Sequence, residues 1–317
     1  MAVLMETETG SMINREFKKI VDQVSTVVLG KEPQIRLALA CLFARGHLLI
    51  EDLPGIGKTT LAKVLAKSLG LKFQRMQFTS DLLPGDILGM SVFDRHTSTF
   101  TFHPGPIFTQ VFLADEINRA TPKSQSALLE AMEEQQVTIE GETRALEAPF
   151  FVIATQNPME QAGTFALPDS QMDRFLMRIH LGYPDRAAEK QILKGIGAEP
   201  AMTELVPFLD AGRVLAIQNA VDQVHVSDTF LAYLQDILAF TRTSGEFQAG
   251  LSPRAGLSLS RAARSWAYLH GRDHTLPEDL QQMLPWVAGH RLKSSRDGSG
   301  FSRDRLMDRL KTVPVPV

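Results

Sequence analysis

The stretch that most constrains the chain is His47 to Thr60, HLLIEDLPGIGKTT. It opens on an apolar run, His47-Leu48-Leu49-Ile50, with the pattern of a short buried strand. The turn Pro54-Gly55-Ile56-Gly57 follows, and Lys58, Thr59 and Thr60 begin a segment in which Leu61, Val64, Leu65 and Leu69 recur at helical spacing. Strand, glycine turn, Lys-Thr and helix make a phosphate-binding loop. The glycines let backbone N–H groups turn toward phosphate oxygens, and the helix N-terminus adds its partial positive charge. Lys58 is placed to reach β- and γ-phosphates, and the Thr59 hydroxyl to ligate Mg²⁺. One position departs from G-x-x-x-x-G-K-[ST]: its first glycine falls where this chain has Asp52.

The remaining segments predict where such a loop sits. Val111-Phe-Leu-Ala-Asp-Glu reads as a buried parallel strand that delivers two carboxylates at its C-terminal end. Asp115 would hold the Mg²⁺ water shell and Glu116 would polarise an attacking water. Phe150 to Thr155 is another buried strand, and Asn157 just beyond it brings an amide to the same edge. Lys72 to Thr79 alternates Phe73, Arg75 and Gln77 against Gln74, Met76 and Phe78, the period of a strand, and Arg178 to Leu181 makes the last one. Asp81 to Gly89 has helix and turn character interrupted by Pro84. Two hairpins are expected, Met90–Phe93 with Thr99–Phe102, and Gln136–Ile139 with Thr143–Leu146, both with polar tips. Strands alternate with helices from 45 to 182, the pattern of a parallel α/β sheet covered on both faces. Ligands of such sheets lie at the C-terminal ends of the strands, where Lys58, Asp115, Glu116 and Asn157 all fall.

Pro184 marks a boundary between 1–183, the nucleotide-binding αβα unit with the two hairpins, and 184–317, a smaller unit with only helical patterns. Within the second, Arg291 to Lys311 reads as a solvated terminal helix; at the other end, residues 1–12 read as frayed ahead of an amphipathic helix from Glu16 to Val28. With 44% hydrophobic and 22% charged residues and a net charge of −3, the composition is that of a soluble globular protein and not of a dedicated nucleic-acid binder. Glu140 and Glu142 make the second hairpin tip acidic, which repels phosphate backbones. Cys41 is the single cysteine and sits in an apolar helical run, as expected in a reducing cytoplasm. No apolar run approaches the ~20 residues that cross a bilayer, so membrane contact is expected to be peripheral at most. His270 and His274 stand four apart but lack a third metal ligand, which favours a loop between helices.

Phe112-Leu-Ala-Asp-Glu-Ile-Asn-Arg-Ala, Lys123-Ser-Gln-Ser-Ala-Leu-Leu-Glu-Ala-Met-Glu-Glu, Ala154-Thr-Gln-Asn-Pro and Leu167-Pro-Asp-Ser-Gln-Met-Asp-Arg-Phe-Leu-Met-Arg together resemble the MoxR family of AAA+ ATPases. The resemblance runs from about Val28 to the helix after Pro277, and Asp52 fits it, since family members often lack that glycine. It implies a P-loop AAA+ sheet covered by helices, followed by an all-α lid. It makes Pro54 to Thr60 the Walker A loop for ATP, and Asp115 and Glu116 the Walker B pair. Asn157 becomes sensor 1. Arg174 becomes an arginine finger offered to the next subunit, with Arg178 as its rival four positions on. Arg254 becomes sensor 2, reaching the γ-phosphate from the lid, and the turn around Gly30 would lie near the adenine. It further implies a homo-oligomeric ring, commonly a hexamer, that remodels a protein client, often with a von Willebrand factor A-type partner. The alternative is a nucleotide-gated scaffold that assembles a partner without turning over.

Overall fold

The computed structural model describes residues 2–96, 98–158, 163–195, 202 and 204–315, with side chains from residue 13 onward. Helices α1 (Ala2–Val27) and α2 (Glu32–Phe43) precede β1 (Leu48–Glu51), and α3 (Lys58–Ser68) leads from it to β2 (Phe73–Gln77). The short α4 (Pro84–Leu88) enters a hairpin of β3 (Gly89–Asp94) and β4 (Thr99–Pro104). Then come β5 (Val111–Asp115), α5 (Pro122–Glu134), a second hairpin of β6 (Gln136–Ile139) and β7 (Glu142–Ala145), β8 (Phe151–Gln156), α6 (Asp169–Met172) and β9 (Met177–Ile179). Beyond lie α7 (Arg186–Leu193), α8 (Ala211–Asp222), α9 (Asp228–Thr243), α10 (Pro253–Leu269), α11 (Pro277–Ala288) and α12 (Arg303–Leu310).

Five strands form one parallel sheet in the order β2-β5-β8-β1-β9. Its covering follows from the two-residue period of a strand. Leu48, Ile50, Leu113 and Ile153 enter one core with α1, α2, α3 and the C-terminal helices, while Leu49, Phe112, Val152 and Ala154 enter a second core under α5. The first core is continuous from Phe17 of α1 to Leu310 of α12, so the lid helices share apolar packing with the sheet. Polar ties reinforce that contact: Ser265 donates to the carbonyl of Ala40 (2.8 Å), and Gln218 to that of Leu42 (2.8 Å). At the C-terminal ends of the strands Glu51 pairs with Gln156, Gln77 with Asp115 and Ala114 with Ala154, so the residues that follow share one edge.

Several expectations change. Helix is continuous over Ala2–Val27, so the N-terminus is not the frayed segment the sequence suggests. Pro84 begins α4 and does not interrupt it; at the first helical position its missing N–H costs nothing. Arg291 is not solvated: its side chain is 6% exposed and lies against the segment before β9. Of the expected 291–311 helix only Arg303–Leu310 forms. The first hairpin has the expected polar tip but an apolar stem, with the Phe93 and Phe100 rings in tilted contact at 5.2 Å and Phe100 71% exposed. The two hairpins touch where the Arg144 guanidinium lies 4.1 Å over the Phe102 ring. Among the described residues, no helix is long and apolar enough to cross a membrane, and no three His, Cys, Asp or Glu side chains gather as metal ligands. His270 and His274 belong to the end of α10 and the loop after it, on Trp266 and Asp273 respectively.

Candidate active site

The loop between β1 and α3 adopts the conformation that its glycines allow. Gly55 (φ 81°) and Gly57 (φ 93°) are left-handed, and a Cβ on either would meet nothing within 4 Å. Backbone amides in that arrangement line an open concavity suited to anionic oxygens. Pro54 lies on its exposed side, Ile56 packs against the first core, and Thr60 belongs to the first turn of α3. Lys58 is buried beneath the loop and its Nζ donates to the carbonyl oxygen of Asp52 (2.6 Å). Burial lowers the Lys58 pKa, while the charges of Asp115, Asp52 and Glu116 act to raise it. Asp52, the departure from the usual glycine, has a structural job. Its carboxylate accepts the N–H groups of Leu53 (2.9 Å) and Gly182 (2.6 Å), pinning the loop to the segment after β9. Gly30 is part of the same junction. It is left-handed (φ 68°), a Cβ there would lie 2.8 Å from that of Ala188, and the adjacent Lys31 donates to the carbonyl of Tyr183 (2.7 Å).

At the end of β5, Asp115 Oδ2 faces Thr59 Oγ1 at 3.4 Å and Oδ1 accepts from Thr155 (2.6 Å). Thr155 Oγ1 in turn accepts the backbone N–H of Glu116 (2.8 Å), so one hydroxyl ties both acids to β8. Glu116 has a left-handed backbone (φ 57°, ψ 51°), which a non-glycine residue adopts at a cost of about 1–3 kcal/mol where its surroundings hold it. Its Oε2 receives Gln77 (2.9 Å) and an ion pair from Arg119 (2.8 Å). Arg75 places Nε (3.0 Å) and Nη2 (2.7 Å) on Asp115 Oδ2. Asn157 is buried at the end of β8, next to Gln156, which donates to Glu51 (2.8 Å). Lys58, Thr59, Asp115, Glu116 and Asn157 therefore converge on one sheet edge. An open backbone cradle, a buried ammonium and a Thr–Asp oxygen pair fit a nucleoside triphosphate and a hard cation such as Mg²⁺.

The expected arginines lie elsewhere. Arg254, on the first turn of α10, does not approach Lys58 of its own chain; it forms an ion pair with Glu133. Arg174 approaches the same Glu133, Nε to Oε2 at 3.0 Å. Glu133 lies in the last turn of the 13-residue α5, a helix about 20 Å long, and the three side chains line a cavity shared with Gly46 and His47 just before β1. That is the opposite end of the sheet from the phosphate loop. Arg178 is not one helical turn beyond Arg174 either. It lies in β9, where it bonds Glu51 (2.9 Å) and the carbonyl of Gly289 (3.1 Å), contacts that hold its own fold together. Arg291, unforeseen, donates to Asp173 Oδ1 (2.6 Å) and to the carbonyls of Asp173 (3.0 Å) and Phe175 (2.9 Å), fixing the backbone on both sides of Arg174. Arg75, Gln77, Thr155 and Arg119 also went unread as site residues. The alternation of β2 does put Arg75 and Gln77 on one face.

Residues 47–177 match the ATPase family associated with various cellular activities (AAA), and residues 239–310 match the AAA lid domain. The chain is 44% identical over 302 residues to the protein YeaC of Bacillus subtilis (strain 168), covering 94% of each. It is 35% identical over 311 residues to Chaperone MoxR1 of Mycobacterium tuberculosis, covering 94% of this chain and 82% of the relative. A solved structure from Cytophaga hutchinsonii superposes with a TM-score of 0.89 at 34% identity, covering 99% of this chain and 98% of the other.

Proposed function

This chain belongs to the AAA ATPases of MoxR type, and from that premise we propose that it hydrolyses ATP with Mg²⁺ in a head-to-tail homo-oligomeric ring, a hexamer, that remodels a protein client. The carrying observation is the convergence of Lys58, Thr59, Asp115, Glu116 and Asn157 at one sheet edge. Lys58 and the amides around Gly55 and Gly57 would neutralise and orient the β- and γ-phosphates. Thr59 and Asp115 would hold the metal, whose charge when bound stabilises the phosphoryl oxygens. Glu116 would accept the proton of the attacking water and Asn157 would orient that water. Turnover requires Glu116 to leave Arg119 or share its carboxylate, since an oxygen engaged by a guanidinium is a poor proton acceptor. Arg174 and Arg254, too far from their own loop, would both be offered to the ATP of the neighbouring subunit.

Client remodelling is supported by the name of the mycobacterial relative and by the apolar stem of the first hairpin, Phe93 and Phe100, which suits unfolded or mobile segments. A partner with a von Willebrand factor A-type fold and operation in the cytoplasm belong to the same proposal. Steady phosphate release by the purified chain, lost in Glu116→Gln, supports the enzyme. Nucleotide binding with no release in any oligomeric state would leave the nucleotide-gated scaffold.

A further inference from the structure

Glu133 has no part in the chemistry just described, yet it joins the two arginines that do. We infer that Glu133 is a positioning residue whose carboxylate stands in for the terminal phosphate of a triphosphate borne by a second copy of the chain, holding Arg174 and Arg254 together until that phosphate displaces it. This rests on Arg174 acting across the subunit interface.

Four observations carry the inference. First, the two arginines come from separate parts of the fold, one before β9 and one on α10, and both contact the same carboxylate, Arg174 on Oε2 and Arg254 on Oε1. Two guanidiniums around one carboxylate reproduce the donor arrangement that phosphate takes. Second, the fit at Arg174 is incomplete. Its Nε lies 3.0 Å from Glu133 Oε2, but the approach is too bent to make a hydrogen bond, so a buried N–H is left without an acceptor. Third, the cavity alongside, about 420 Å³, is lined among the described residues by Arg45, Arg174, Arg254 and Arg261 and by two acids, Glu133 and Asp173. Asp173 is committed to Arg291 and Arg45 to Asp222, which leaves Glu133 as the acid facing the remaining arginines. Fourth, Glu133 and Arg174 are each about a third exposed, at 33% and 28%, so the pair can exchange partners.

A competitor for the arginines should raise the ATP concentration needed to close the interface. The test uses the full chain in a Glu116→Gln background, so that hydrolysis does not deplete ATP, and follows assembly by sedimentation velocity across an ATP titration. Glu133→Gln keeps the side-chain volume and removes the charge. It is expected to lower the half-assembly concentration roughly threefold or more, because the competent arrangement no longer competes with the internal pair. Arg174→Ala in the same background is expected to raise it. An unchanged or raised midpoint in Glu133→Gln, with Arg174→Ala shifted as expected, overturns the role of Glu133 alone. No shift in either variant overturns the interfacial role of Arg174 as well. If Glu133→Gln fails to fold, Glu133→Asp, too short to span both arginines, is expected to lower the midpoint in its place, and no decrease overturns the inference.

Discussion

Lys58 and Glu116 do separable jobs, and single substitutions should separate them. The Lys58 ammonium is buried against the loop proposed to wrap the phosphates, so Lys58→Ala should abolish tight ATP binding in calorimetry. An unchanged affinity would make Lys58 merely structural. Glu116 sits one residue past Asp115, the proposed metal ligand, so Glu116→Gln should bind ATP normally and hydrolyse it about 10²–10⁴-fold more slowly, measured by phosphate release in single turnover. A third residue ties stability to pH. His47 is buried, one ring nitrogen bonded to the carbonyl of Met132 (3.1 Å) and the other accepting the N–H of Val152 (3.0 Å). Burial pushes its pKa down to about 4 from 6.5. The unfolded chain therefore takes up the proton first. Stability is fully present above pH 6.5 and falls toward pH 4 by about 1.4 kcal/mol per unit for this one group. Buried His290, its pKa also lowered by burial, acts in the same direction. Urea midpoints at pH 7.5 and 5 should show the loss, and His47→Asn should flatten it; equal slopes would assign the loss to other groups.

At the scale of elements, the hairpins stand off the sheet and contribute little to either core beyond Val137, Ile139 and Leu146. Shortening the tip at 94–98 or at 140–142 should leave ATP affinity and the melting temperature near wild type while impairing client handling. A collapsed melting temperature would make the tips structural. Arg291 shows how an element can place a residue it does not contain. From beyond α11 it gathers the Asp173 side chain and the backbone carbonyls of Asp173, Phe175 and Leu176, and so sets where Arg174 emerges. The packing between α10 and Ala40 of α2 does the same for Arg254.

At the scale of the whole molecule, the loop at Lys58 and the arginine pair sit at opposite ends of one sheet, so in the proposed ring a second copy would complete the site. On this proposal Arg174→Ala subunits would keep an intact loop and give nothing to their neighbour, and Glu116→Gln subunits would give their arginines but could not use their own ATP. Each alone should be nearly inactive. In a random mixed ring roughly a quarter of interfaces pair an intact loop with intact arginines, so mixing should restore measurable phosphate release. No rise at any ratio, with mixed rings seen by native mass spectrometry, would remove Arg174 from the interface.

What the sequence by itself determined is what depends on near neighbours in the chain: the strand, the glycine turn, Lys58 and Thr59 at a helix start, and Asp115, Glu116 and Asn157 just past apolar runs. Periodicity of two and 3.6 residues and the conformational freedom of glycine are local properties, and they place those residues at strand ends before any strand is paired. The order β2-β5-β8-β1-β9 is not local. Only that order sets Arg75 and Gln77 beside Asp115 and Glu116, lets Thr155 tie both acids, and puts Arg178 on Glu51 inside the fold. Likewise the family resemblance makes Arg254 a lid arginine that reaches the γ-phosphate. The shared core of α2 with the C-terminal helices carries it to Glu133 at the far end, because where a helix packs is decided by the apolar surface it must bury and not by the polar residue it carries.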